Sequence, residues 1–467
     1  MTASTGRSTI LFTAAVVGSN VCQVLWLAAG ARALPGSDFG TVLTAQAMYG
    51  LLQMITDNGP SFLGARKAAR GSLTAGDRAE IVRARVLLAI VCSTIGVGVA
   101  AIGGVDLLRS FGPFALALCL FSLLNVWEPY GRGRLGPFAL YLLLRSLLVA
   151  AVAGGVAIAG DELPLEAAGA CELAAVLVVG VICSAWSRPG RHLTVRPETW
   201  RSVRDIGLPA IITQYNVAIG TVVLGVSGNA SAAAVSGVAF RMLTGVQALN
   251  GAVAAGLFPR LARSPQAAGS DARAARAAAV GGVMLGAVML LAVAVAAEPI
   301  VRVLLNKGGS LEQAVIILAV GGTGVTGLVM HKSFALVARG AESQLRRASL
   351  PGALVVTVGS IAAALVGELE AALVVVGGYL LGLSLTSLLI TRRTVSRDNA
   401  GGTALGACAA LFMPAMAVAL ALGASVWVAL AILASAAVSV ALTVHLGRRR
   451  RDEAVGRATA PRGGSEA

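Results

Sequence analysis

Apolar runs long enough to cross a bilayer recur from Thr9 almost to the C-terminus, with only short polar gaps between them. A bilayer span needs about 20 mostly apolar residues, and dividing the chain at its polar gaps gives about fourteen. They cover residues 9–31, 40–62, 84–104, 107–127, 137–159, 165–186, 206–226, 231–256, 278–302, 312–337, 348–367, 371–390, 402–423 and 426–446. The pattern predicts an all-α polytopic membrane protein. It lacks the alternation of a transmembrane barrel and leaves no stretch for a separate water-soluble domain. The longest polar gaps, Ser187–Asp205 and Phe258–Arg276, hold about twenty residues each.

The first long gap divides the spans six and eight. The expected organisation is an N-terminal transmembrane lobe over 1–187, a connecting loop over 188–205, and a C-terminal lobe core over 206–367. Further helices over 368–447 complete that lobe and add accessory spans, and a basic tail follows over 448–467. Two stretches look alike: Phe39-Gly40 through span 2 to Arg66-Lys67, and Ser236-Gly237 through span 8 to Pro259-Arg260. Six spans separate them, so the halves would be parallel pseudo-repeats about an axis normal to the membrane.

Composition agrees: of 467 residues, 57% are hydrophobic and only 13% charged, against about 25% charged in soluble domains. The net charge of +15 would raise nucleic-acid binding in a soluble chain. Here its placement changes that reading. Most Lys and Arg fall in alternate gaps, on the face that holds both termini. Only Arg32, Arg109, Arg302 and Lys307 fall on the other face, and Arg145, Arg241 and Lys332 lie within spans. By the positive-inside rule both termini are expected in the cytoplasm, in a cell membrane. The basic surplus is thus a topology signal, and no nucleic-acid partner is expected. Ala31-Arg32-Ala33 has the form of a cleavage site, but the preceding apolar run exceeds a signal-peptide core and carries Asn20 and Gln23, so an uncleaved first span is expected.

The six cysteines lie in apolar runs without Cys-x-x-Cys spacing, and the three histidines are scattered, so neither a disulfide framework nor a metal site is expected. Gly, at 57 residues, suits close helix packing. No Walker motif, carboxylate pair or nucleophile constellation supports an enzyme, and no cofactor is expected.

Ionisable groups at membrane depth are functional candidates because they are expensive there. Gln46, Gln53 and Asp57 share one stripe of span 2 by helical periodicity. That stripe would face a wet cavity, unless Asp57 simply pairs with Arg66 or Lys67. Arg145, Arg241 and Lys332 could form a cationic cavity suited to phosphate, since the guanidinium donates paired hydrogen bonds. Each arginine could instead reach an interface or pair with an acid such as Glu128 or Glu172. Gln214, Tyr215, Asn216, Gln247 and Asn250 add neutral hydrogen-bonding groups that suit sugars or ordinary helix–helix bonds.

An ordered series of strings over about residues 36–345 resembles the polysaccharide-transporter (Wzx-type flippase) branch of the multidrug/oligosaccharidyl-lipid/polysaccharide (MOP) exporter superfamily. The series runs from Ser37-Asp38-Phe39-Gly40, Asp57-Asn58-Gly59 and Arg66-Lys67, through Trp127-Glu128-Pro129-Tyr130-Gly131 and Gly207-Leu208-Pro209. It continues with Leu257-Phe258-Pro259-Arg260-Leu261-Ala262-Arg263, Ala297-Glu298-Pro299-Ile300-Val301-Arg302 and Leu336-Val337-Ala338-Arg339-Gly340. Leu305-Asn306-Lys307-Gly308 departs from the family's Phe-Gly close of span 9, and the acid that drug antiporters of the superfamily carry in span 1 is replaced by Asn20 and Gln23.

The resemblance implies two six-helix lobes around a central cavity and two additional C-terminal spans. It implies movement of an undecaprenyl-diphosphate-linked oligosaccharide from the inner to the outer leaflet by alternating access. Arg145 and Arg241, with Lys332, would hold the diphosphate, while an H+ or Na+ gradient would couple through Asp57 or Glu128. The expected partners are the polyprenyl-diphosphate-linked glycan and membrane lipids, with a polysaccharide polymerase or glycosyltransferases as candidate protein partners. The alternative is a cation-coupled multidrug exporter of the same superfamily, against which the aromatic content of 4% counts.

Overall fold

The computed structural model describes residues 2–134, 136–183, 187, 194–263, 270–306, 309–339, 342–366, 369–394 and 413–422. Expected span 14, most of span 13, Lys307 and the basic tail lie outside the described residues. The chain is a succession of helices: α1 (Thr2–Ala33), α2 (Gly36–Ala69), α3 (Ala75–Ile102), α4 (Val105–Phe121), α5 (Trp127–Gly131), α6 (Gly136–Ala159), α7 (Ala167–Ile182), α8 (Pro197–Val226), α9 (Ala230–Arg263), α10 (Ser270–Val295), α11 (Ala297–Leu305), α12 (Ser310–Gly321), α13 (Thr323–Arg339), α14 (Glu342–Ala364) and α15 (Glu370–Thr394).

Each of the first twelve expected spans falls on helix, but span 9 is divided into α10 and α11 at Ala296, and span 10 into α12 and α13 at Gly322. Among the described residues, 8 helical stretches are long and apolar enough to cross a membrane, or 9 if the bent α8 is counted as one span. The difference from the expected number has physical causes. Helix α2 carries the polar stripe of Gln46, Gln53, Asp57 and Asn58, and α4 and α7 have only 17 and 16 residues.

Local chemistry sets the boundaries. Pro35 precedes α2, and Gly71 turns the chain after it with φ 70°. Thr74 and Asp77 then form a capping box that satisfies the first donors of α3. Helix α8 starts with Pro197, where a missing N–H removes nothing, and it bends by 59° between Leu208 and Ile211, around Pro209 in the sequence.

Outward faces carry large apolar side chains such as Ile90, Val91 and Ile95 on α3 and Leu354, Val358 and Ile361 on α14. Lipid solvates such a surface as well as a protein core would, so close packing, not expulsion from water, must hold the helices together. Helices α1–α7 pack among themselves, as do α8–α15. Across the divide, α1 meets α9 and α11, α2 meets α8 and α9, and α3 meets α8. Exchanging α1 with α8, α2 with α9 and α3 with the divided span α10–α11 maps this contact set onto itself, the relation expected of parallel repeats.

Helices α2 and α9 run side by side in the same direction. Gly40 lies where a Cβ would strike the carbonyl of Ala230, and Gly237 lies against Leu43. Helix α8 runs antiparallel to α2, with Gly207 and Val203 against Gly59 near one end and Gly225 against Thr44 near the other. At the end that bears the basic loops, the Arg196 backbone N–H and guanidinium bind the buried carboxylate of Glu80 at 2.5–2.8 Å, tying the entrance of α8 to α3.

Candidate functional site

A cavity of about 420 Å³ lies between the halves, walled by α1, α2, α5 and α6 on one side and by α8 and α9 on the other. A narrower space of about 70 Å³ lies beside it and shares Gln23, Gly50, Gln53, Arg145 and Arg241 with it. The apolar part of the large cavity includes Phe12, Val16, Phe138 and Leu142, where α1 lies along α6 and Phe12 stacks on Phe138 at 5.8 Å. The α1–α6 seam is closed by Ser19 and Ser146, whose hydroxyls are 2.7 Å apart. Asn20 closes α1 onto α9 by donating to the Gly245 carbonyl at 2.9 Å.

The polar walls of the two spaces carry four charged groups, Arg145, Arg241, Asp57 and Glu172. Arg241 projects from α9, and its guanidinium donates to the Gln46 amide oxygen of α2 at 3.1 Å. Among the described residues no carboxylate lies within ion-pair distance of it. Arg145 projects from α6, lies over the ring of Tyr141, and has Nη1 3.6 Å from Glu172 Oε1 on α7. That same oxygen accepts from Tyr49 at 2.8 Å and from Tyr141 at 2.5 Å, while Gln53 donates to the Tyr141 hydroxyl at 3.0 Å.

Asp57 faces the large cavity, accepts from Ser61 and pairs with Arg85 Nη2 at 2.8 Å. Arg85 is 0% exposed; its Nη1 donates to the Leu124 carbonyl and its Nη2 also to the Phe121 carbonyl at the end of α4, while its buried Nε has no hydrogen-bond partner among the described residues. The partner the structure gives Asp57 is thus Arg85, while Lys67 pairs with Asp77 at 2.8 Å.

The expected site residues fall into two groups. Gln46, Gln53, Asp57, Arg145, Gln214 and Arg241 line one or both of the adjoining spaces. Lys332, Tyr215, Asn216, Asn250 and Glu128 line neither. Lys332 donates to Thr391 at 2.9 Å because its face of α13 meets α15, and Tyr215 bonds Thr357 because its face of α8 meets α14. Asn216 and Asn250 are buried, the latter beside Gly282 and Gly327 at the meeting of α9, α10 and α13. Glu128 sits on α5 and accepts from Arg78, Arg132 and Asn125 at 2.7–3.0 Å. The Arg78 guanidinium, chief among these donors, holds the Glu128 carboxyl below the usual carboxylate range.

Arg85, Tyr49 and Tyr141 were not singled out by sequence reasoning. Arg85 counted among the loop cations that follow span 2. The available signal was hairpin register: Asp57 and Arg85 lie equally far before and after Gly71, so an antiparallel pair turning there brings them to one depth.

Solved structures share this fold. An outward-facing multidrug resistance MATE family transporter of the MOP superfamily aligns with TM-score 0.56 at 15% identity, covering 83% of this chain and 96% of that one. An inward-facing MATE family transporter aligns with TM-score 0.57 at 13% identity, covering 83% and 98%. A MOP superfamily transporter from Pyrococcus furiosus, described for the reverse polarity of its binding pocket, aligns with TM-score 0.56 at 14% identity, covering 83% and 96%. No protein-family model and no curated protein matches the sequence. At such identities the likeness is one of fold, and function must be argued from the site. The chain is a multi-pass membrane protein with the fold of MATE transporters of the MOP superfamily.

Proposed function

We propose that this protein is an alternating-access transporter that carries an anionic, lipid-linked glycan across the membrane. The undecaprenyl-diphosphate-linked oligosaccharide suggested by the Wzx-type strings is the substrate, moved from the inner to the outer leaflet. One observation carries the reading: Arg241 faces the cavity with a neutral partner and no described acid, and Arg145 lines the opposite side of the same cavity. A diphosphate offers the acceptor geometry that two guanidiniums satisfy. Neutral amides at Gln46, Gln53 and Gln214 are suited to sugar hydroxyls, and the apolar seam between α1 and α6 is suited to a hydrocarbon chain. In this reading the lobes over 1–187 and 206–367 rock about the contacts of α2 with α8 and α9, both termini are cytoplasmic, and Asp57 is the charge in the large cavity on which an H+ or Na+ gradient would act.

A second reading, a cation-coupled multidrug exporter, draws on the multidrug MATE structures that share the fold and on Phe12, Trp127, Tyr130 and Phe138 along the wall. Both cavity acids are already bonded to arginines, which weighs against it.

Reconstituted vesicles carrying a fluorescent polyprenyl-diphosphate oligosaccharide test the choice. Quencher or lectin access to inner-leaflet substrate should accelerate over protein-free vesicles, and Arg241→Ala should lower the rate at least about tenfold, the loss expected for one charged hydrogen-bonding group. Unchanged flipping by folded Arg241→Ala, or efflux of a cationic dye with no glycan movement, would overturn the anion reading.

A further inference from the structure

The two cavity arginines differ electrically. Among the described residues Arg241 has only the neutral Gln46 as a hydrogen-bond partner, whereas Arg145 faces Glu172, a carboxylate that is 6% exposed. One oxygen of Glu172 gathers Tyr49 from α2 and both Tyr141 and Arg145 from α6. On its remaining sides α4 presents the apolar Phe114, which packs on Tyr49, and its own helix presents Cys171. Arg241, from α9, is the other charged group within its field. Glu172 lines the narrow space that adjoins the main cavity, so solvent protons reach it along the same path as the substrate.

An anion arriving between the arginines therefore meets a competitor at Arg145. While Glu172 is ionised it occupies that guanidinium and repels the anion; once protonated it does neither. The Tyr49 and Tyr141 hydroxyls remain as hydrogen-bonding partners for the neutral acid, so the change requires only one proton from cavity water and no new bond within the protein. We infer that the cavity binds its diphosphate together with a proton held on Glu172, so that proton and anion each tighten the binding of the other. This rests on the anion reading above and adds its regulation; reciprocity of linked equilibria fixes the sign.

The test is calorimetric titration of the full-length protein in detergent with farnesyl-diphosphate-linked N-acetylglucosamine. This probe is a diphosphate diester whose phosphate pKa values lie well below about pH 5.5, so its own charge stays constant up to about pH 8. Buffers of different ionisation enthalpy report the protons bound with each anion. The wild type should bind about tenfold more tightly at the acid end, a typical coupling, and should take up protons on binding. Glu172→Gln, which imitates the protonated acid, should bind about tenfold more tightly than wild type at the alkaline end and lose both pH dependence and proton uptake. Tyr141→Phe, which keeps the acid, should retain proton uptake.

Probe binding by wild type without proton uptake at any pH overturns the inference and leaves the arginine site standing. Failure of wild type to bind the probe overturns both.

Discussion

The buried pair of Asp57 and Arg85 makes the most demanding prediction about the helices that build the cavity. Its geometry joins α2 to α3 at 2.8 Å, and the guanidinium also binds the carbonyls of Phe121 and Leu124, so one side chain ties three helices and the turn into α5. At that separation the attraction is about 6 kcal/mol with an effective dielectric constant of about 20, and desolvating Arg85 offsets most of it. Removing one partner of a buried pair costs about 3–5 kcal/mol, because the other charge is left uncompensated. Arg85→Leu should fall in that range, since it strands Asp57 and two carbonyls. Asp57→Asn should cost less, about 2 kcal/mol, because the Asp57 side chain is 21% exposed to the cavity and Asn still offers an acceptor.

If the pair carries the energy, Asp57→Asn in the Arg85→Leu background should cost under about 1 kcal/mol, as expected for residues in contact. Equilibrium unfolding in mixed micelles, followed by far-ultraviolet circular dichroism, measures all three variants. Additive single effects, or an Arg85→Leu variant as stable as wild type, would refute the clamp.

Three other outcomes follow from the geometry. Because Arg78 holds the Glu128 carboxyl below its usual range, the ionised form stabilises the fold at neutral pH, and that contribution is lost as pH falls through the folded value. Glu128→Gln should therefore be about 1 kcal/mol less stable than wild type near neutrality, a modest figure because Arg78 and Arg132 are 39% and 54% exposed. The gap should begin to narrow as pH falls below the ordinary glutamate value of about 4.3 and close below the folded value, and a gap independent of pH in the same unfolding assay would contradict the pairing. Gly40→Val should cost about 1–3 kcal/mol by forcing α2 away from the Ala230 carbonyl, so unchanged thermal stability would deny the close approach. Cysteines replacing Ser72 and Asp161, both exposed, should be modified by an impermeant maleimide from opposite sides of sealed vesicles; labelling from one side would refute the charge-derived topology.

The backbone was largely legible because a span's signal is local. Twelve apolar runs, read one at a time, sit on helices, and the stripe of Gln46, Gln53 and Asp57 needed only the helical period to reach the cavity wall. What went unread depends on contacts between runs. Arg85 carries the same local signature as Arg78 and Arg83, yet it is fully buried while Arg78 is 39% exposed; only the register of the α2–α3 hairpin separates them. Lys332 and Arg241 likewise look equivalent along the chain, but the rotation of α13 sends one to Thr391 and that of α9 sends the other to Gln46. Tyr49 and Tyr141 gave no signal of their own, because a tyrosine in an apolar run becomes notable only when a carboxylate such as Glu172 meets it.

Those pairings also bear on the proposed choice between substrates of opposite charge. Asp57 is matched by Arg85 and Glu172 by Arg145, so each acid at the cavity is already offset, and Arg241 supplies the charge that remains. A monovalent cation held about 4 Å from an arginine meets about 4 kcal/mol of repulsion at an effective dielectric constant of about 20, and an anion gains as much for each charge. Aromatic contacts with Phe12, Phe138 or Trp127 could return about 0.5–2 kcal/mol to a cationic drug, which does not recover the deficit. For the cavity to favour cations, Arg241 would have to turn away from the wall or acquire an acid as partner, and Gln46 is neutral. In the proposed reading a diphosphate needs no such rearrangement: it would meet Arg241 directly and gain Arg145 once Glu172 takes up its proton.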